Sequence, residues 1–129
     1  MERCKLLAFL LCERATVGPE QKVTLHGLFD RIIVPRMPSK PKLFFVFYKV
    51  VVKQSCTISL RVTDPRGREI PGNWGDPLGH IGPMQAIWAL SSSLFRQPGP
   101  YVLELRQEAE DSEPLSLATL LFVVDQQGE

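Results

Sequence analysis

At 129 residues, with 44% apolar and 22% charged side chains, the chain has room for one domain with its own core, and its make-up excludes a disordered or fibrous protein. Fifteen Lys and Arg against fourteen Asp and Glu leave a net charge of +1, which by itself points to no nucleic-acid or membrane partner. Three cysteines and two histidines without a CxxC pair make neither a zinc site nor a disulfide framework; they suit a reducing compartment and a protein without metal or cofactor.

Arg3 and Lys5 ahead of the apolar residues 6–12 imitate a signal peptide, but Glu13 and Arg14 end the run and no small-residue cleavage pattern follows. The pattern predicts instead a first strand over residues 5–16, apolar on both faces, with Cys12 as a small buried thiol. Nothing else approaches the length of a membrane span, so the chain reads as soluble and cytosolic, without a membrane partner. Val23, Leu25, Gly27 and Phe29 then alternate with Lys22, Thr24 and His26, and Ile32, Ile33 and Val34 prolong the run past Asp30 and Arg31. Gly27 marks a bulge or a close contact. His26 falls on the polar side of the alternation, as a solvated strand histidine.

Pro35, Pro38 and Pro41 rule out helix and central strand in a stiff surface connection. Residues 43–52 are apolar except for Lys49, the pattern of a strand buried on both faces or bearing a subunit contact. Cys56, Ile58, Leu60 and Val62 alternate with polar residues, and Lys53-Gln54-Ser55 is expected to join the two strands as a hairpin. Asp64-Pro65-Arg66-Gly67 has the composition of a type I turn. Residues 71–83 hold four glycines and three prolines, which argues against a regular element there. Residues 84–90, which include Trp88, read as a strand.

Pro98, Gly99 and Pro100 open a strand in which Tyr101, Leu103 and Leu105 share one face. The apolar run over residues 115–124 returns against it as an antiparallel hairpin. Tyr101, two positions after Gly99, stands as in the tyrosine corner of immunoglobulin-like sandwiches, with Leu103 where an antibody domain has cysteine. The fold class is therefore all-β: an antiparallel, immunoglobulin-like sandwich of about eight strands.

Five residues are candidates for binding. Asp30 and Arg31 interrupt an apolar run, and Trp74, Asp76 and His80 gather on the loop over residues 71–83, where a rigid sandwich would present them. No catalytic residue stands out, since there is no glycine-x-serine-x-glycine elbow and no phosphate-binding loop. Residues 31–63 carry seven basic side chains and no acid, whereas residues 104–129 carry seven acids against Arg106 alone. The two sets either face each other and cancel or make a basic and an acidic pole. The residues point to a non-catalytic interaction or assembly module, engaging a protein partner or itself through residues 43–52 and the Trp88 segment. Two alternatives stay open: a small-ligand or enzyme site at Trp74, Asp76 and His80, and weak nucleic-acid binding through the basic residues of 31–63.

Leu10-Leu11-Cys12-Glu13, Leu25-His26-Gly27-Leu28-Phe29-Asp30-Arg31-Ile32 with Pro35, Asp64-Pro65-Arg66-Gly67, and Phe95 with Pro98-Gly99-Pro100-Tyr101 together resemble a family of small bacterial proteins catalogued only as a domain of unknown function. The resemblance covers nearly the whole chain, and the Gly-Leu-Phe-Asp-Arg-Ile run is its most specific part. It implies a single cytosolic β-sandwich and offers no reaction, ligand or active site.

Overall fold

The computed structural model describes residues 2–34 and 41–126. They form ten strands: β1 (Cys4–Val17), β2 (Val23–Leu28), β3 (Arg31–Val34), β4 (Leu43–Val52), β5 (Cys56–Thr63), β6 (Glu69–Ile70), β7 (Gly75–Leu78), β8 (Gly82–Ser91), β9 (Gly99–Ala109) and β10 (Ser112–Gln126). A four-stranded sheet in the order β2-β1-β4-β8 faces a six-stranded one in the order β3-β10-β9-β5-β6, with β7 also on β5. The expected β-sandwich is present. It has more strands than expected: β6 and β7 are short additions, and β2 and β3 divide one expected run.

The core follows from period two. Phe44, Val46, Tyr48, Val50 and Val52 of β4 face Cys56, Ile58, Leu60 and Val62 of β5, and Tyr101, Leu103 and Leu105 of β9 complete the layer. Gln107 continues that inward row as the one buried polar side chain among the described residues. Its Oε1 accepts the backbone N–H of Arg3 at 2.6 Å and of Cys4 at 3.2 Å, which ties the first residues of β1 to β9 across the core. At one end of the sandwich the rings of Phe29, Phe44, Phe95, Tyr101 and Phe122 pack edge-on or tilted, with Phe95 4.9 Å from Tyr101. The closing hairpin of β9 and β10 forms as expected, with Leu103 beside Leu120. The tyrosine corner forms too: the Tyr101 phenol donates to the Gln97 carbonyl at 2.9 Å and accepts the Gln97 N–H at 3.1 Å.

Three local expectations change. Lys53-Gln54-Ser55 is no hairpin turn, because β4 pairs with β1 and β8 while β5 belongs to the other sheet. Val52 and Cys56 face each other across the core instead of lying side by side, and both arrangements satisfy the same alternation. The link is held by Lys53 and Gln54, whose N–H groups donate to the Arg3 carbonyl at 2.7 and 3.0 Å. The run after Lys22 is likewise two strands: Phe29 N–H donates to Leu11 of β1 at 3.4 Å, and one residue later the Asp30 carbonyl accepts from Val123 of β10 at 2.8 Å. The chain thus changes sheets between adjacent residues, and β3 runs parallel to β10. Third, the glycine- and proline-rich stretch contains a regular element after all, β7, which pairs with β5 at the sheet edge, where Pro77 is tolerated. The connection expected at Pro35 and Pro38 lies outside the described residues.

Strand β1 switches its inward parity where its register shifts between Leu6 and Ala8. Before the shift Cys4 and Leu6 point inward; after it Phe9 and Leu11 do. Gly27 meets the expected close contact, adopting φ +68° beside Glu13.

Candidate functional site

The sheets differ most on the sides turned away from the core. On the six-stranded sheet the outward side chains of the paired strands include Arg61, Glu104, Arg106 and Glu108, as alternation from the inward Leu60, Leu105 and Gln107 requires. Their charges are matched within the face. Arg61 bonds Glu69 at 2.7 Å and lies 3.6 Å from Glu108, Arg106 lies 3.4 Å from Glu104, and Arg31 pairs with Asp125.

The four-stranded sheet presents the opposite. Its middle rows, read across the strands, are Leu10–Phe47–Ile87 and Leu28–Cys12–Phe45–Ala89. Phe47 (7% exposed) and Cys12 (0%) are the buried apolar residues that do not belong to the core cluster; they form the floor of this outer face. Leu10, Leu28 and Leu43 stand up from it, 36%, 61% and 59% exposed. With strands about 4.8 Å apart and about 3.4 Å of rise per residue, the apolar band covers on the order of 200 Å². One step beyond it at one end come Lys49, flanked by Ala8 and Gln85, and Lys5, opposite Val51; at the other end come Arg14 and His26, paired with each other across the strands. His26, expected in solvent, is half-buried there. None of the outward positions on these four strands is a carboxylate. Among the described residues no carboxylate pairs with Lys5, Arg14 or Lys49.

The five candidate residues fall on opposite edges of the sandwich. Asp30 and Arg31 stand at the sheet crossing beside β2 and β3. Asp30 lines an open groove of about 330 Å³ together with Leu10, Leu28, Phe29 and Leu121, so this edge continues the apolar face. Trp74 and Asp76 stand at the other edge. The Trp74 carbonyl accepts from Leu60 of β5 at 3.0 Å, and its indole N–H donates to Ala89 of β8 at 3.3 Å, a strut between the two sheets. Asp76 accepts the Tyr48 hydroxyl at 2.6 Å, and Tyr48 stacks 4.8 Å from Trp88. Burial, then the Asp76 carboxylate, push the Tyr48 phenol far above its usual range, so it stays a donor. His80 is exposed past the end of β7, and no hydrogen bond joins it to Asp76 among the described residues.

The basic stretch is likewise divided: Arg31 and Arg61 pair on the six-stranded sheet, Lys53 lies 3.6 Å from Glu2, and Lys49 faces out from the four-stranded sheet. Arg36 and Lys40 lie outside the described residues. Among the described residues no group of three His, Cys, Asp or Glu side chains could hold a metal ion, and no helix is long and apolar enough to cross a membrane.

A family model matches residues 7–118, from the first strand through most of the closing hairpin. The chain belongs to DUF6941, a family of unknown function. No curated protein sequence matches this DUF6941 chain. It is similar in structure to the C-terminal domain of Wzt, at 9% identity and a TM-score of 0.57, over 99% of this chain and 77% of that one. It also aligns with the CARDB domain of a Pyrococcus furiosus protein solved in complex with di-metal ions, at 15% identity and a TM-score of 0.44, over 95% and 97% of the two chains. At such identity the Wzt likeness shows the fold alone.

Of this apolar outer face, residues 43–52 and the Trp88 segment were expected as a contact surface; β1 and β2 complete it, and Trp88 itself turns inward onto Tyr48. The signal for the face lay in β1 and β4, the two strands with apolar residues at both parities, which β1 and β4 share as neighbours in the middle of one sheet.

Proposed function

We propose that this DUF6941 chain is a cytosolic, single-domain protein-interaction module that docks a partner protein on the outer face of its four-stranded sheet. The observation that carries the reading is the asymmetry of the two outer faces: ion-paired on one side, apolar with unpaired cations on the other. At about 200 Å² the band is no larger than monomers commonly expose, so the reading rests on the asymmetry and not on area. Leu10, Leu28 and Leu43 would enter the partner, Cys12 and Phe47 would form the floor, and the groove beside Asp30 would extend the contact. In this reading Trp74 and Asp76 hold the β8 edge of the docking face in place, and the module needs neither metal nor cofactor.

The test compares Leu10→Asp and Leu28→Asp with Val102→Asp, an exposed valine of the opposite sheet outside the groove. All three should melt within about 0.5 kcal/mol of the parent, as exposed substitutions do. Partner retention during purification should be lost in the first two and kept in the third. Equal retention in all three would remove the four-stranded face from consideration.

A further inference from the structure

Resting on that docking face, the charge pattern points to the chemistry of its occupant: we infer that the partner is an acidic protein surface, an apolar ridge with carboxylates on both flanks.

The four strands of the face have cations at both ends of the apolar band and no carboxylate at an outward position, and the acid beside them, Asp30, stands at the edge groove. This is not a matter of composition, because the whole chain has 15 basic against 14 acidic residues. On the six-stranded sheet Arg31, Arg61 and Arg106 all find carboxylates, whereas Lys5, Arg14 and Lys49 find none among the described residues. Cations left unpaired at the rim of an apolar patch are matched when a partner supplies the opposite charge, which speeds encounter and fixes orientation.

The same arrangement disfavours a second copy of this chain. Since both ends of the band are basic, turning the partner copy end for end still sets cations against cations. The acidic tip of the closing hairpin, Glu110, Asp111 and Glu113, offers no apolar ridge, and Asp111 is already held by Arg3 at 2.8 Å. Single-stranded nucleic acid needs exposed rings for its bases, and of the rings on this face Phe47 is covered and Phe45 half-buried.

The experiment places the photo-crosslinker benzoylphenylalanine at Ala89, exposed on the second apolar row, in the full chain in its own cells. Capture alone does not decide the matter; its response to charge does. In a Lys5→Glu/Arg14→Glu/Lys49→Glu variant, the yield of the protein adduct should drop about tenfold or more, and in lysate it should fall on raising salt to about 0.5 M. Sequencing of the adduct should find Asp and Glu flanking the crosslinked apolar residues. A thermal melt of the variant without the crosslinker checks that it is folded. An adduct of twice 14.6 kDa containing only this chain would overturn the inference in favour of self-association. Yield unchanged by charge reversal, a nuclease-sensitive adduct, or binding only to vesicles of phosphatidylserine in phosphatidylcholine would overturn it as well while leaving the face in use. No adduct from Ala89 at all would overturn the docking face itself together with this inference.

Discussion

The hydroxyl of Tyr48, on the central strand of one sheet, donates to the carboxylate of Asp76, on an edge strand of the other, at 2.6 Å. The bond fastens β7 over the side of the sandwich and gives the Tyr48 hydroxyl its partner, so both residues should matter to stability. Asp76→Ala is expected to cost about 1–3 kcal/mol in urea unfolding, because it leaves a phenol in the core without an acceptor. Asp76→Asn keeps an acceptor oxygen and should cost less. Equal stability of Asp76→Ala and the parent would mean that the bond is not formed in solution.

The corner at Tyr101 gives a cleaner measurement, since Tyr101→Phe keeps the ring among Phe95 and Phe122 and removes only the bonds to Gln97. A loss of about 0.5–1.5 kcal/mol is expected from chemical denaturation. The loss should be accompanied by faster amide exchange at Gln97, whose N–H donates to that oxygen. Unchanged exchange at Gln97 would show that water replaces the phenol at no cost.

Gly72 lies under the Trp74 indole so closely that a Cβ there would meet the ring at 2.0 Å. Gly72→Ala must therefore lift the indole from the backbone, which breaks its bond to Ala89 and opens the strut between β5 and β8. Destabilisation of about 1–3 kcal/mol is expected, with a red shift of the tryptophan emission from Trp74 while Trp88 stays buried. A spectrum identical to the parent's would place the ring elsewhere.

All three thiols are buried. Burial, and then the neighbouring Cys56, push the Cys4 thiol up to about 12 from its ordinary 9.0, and burial raises Cys12 and Cys56 as well. The folded protein keeps protons that the unfolded chain gives up. The stability these groups contribute is therefore complete below pH 9 and is lost as pH climbs from there toward 12. Melting temperature should fall as pH rises from about 9 toward about 12, and native thiols should resist a disulfide reagent at pH 8 until denaturant is added. Prompt labelling of three thiols in the native protein would contradict their placement.

Much of this architecture can be read from alternation alone. Cys56 to Val62 and Tyr101 to Leu105 each expose a single inward set, and Pro98-Gly99-Pro100 separates the second from what precedes it. Other features depend on partners remote in sequence. The polar link Lys53-Gln54-Ser55 suits a hairpin and a crossing between sheets equally well, and only the contact with Arg3 distinguishes them. Asp76 looks like a loop acid because its partner, Tyr48, is 28 positions away. For the outer face of β1 and β4 the sequence shows apolar residues at both parities, yet exposure of the second set depends on what covers the sheet, which no local pattern records.

Both faces of the four-stranded sheet being apolar bears on how the chain is made. Its strands β1, β2, β4 and β8 are all synthesised before β9 and β10, and the buried Gln107 that anchors Arg3 and Cys4 arrives only with β9. A nascent chain halted near residue 95 would therefore carry a sheet greasy on both sides, with its inner surface waiting for the hairpin. That exposure ends when translation delivers Tyr101 and Leu103; the outer one persists in the finished chain, and if a partner docks there, the protein made without it should lean on chaperones for longer than one made beside it.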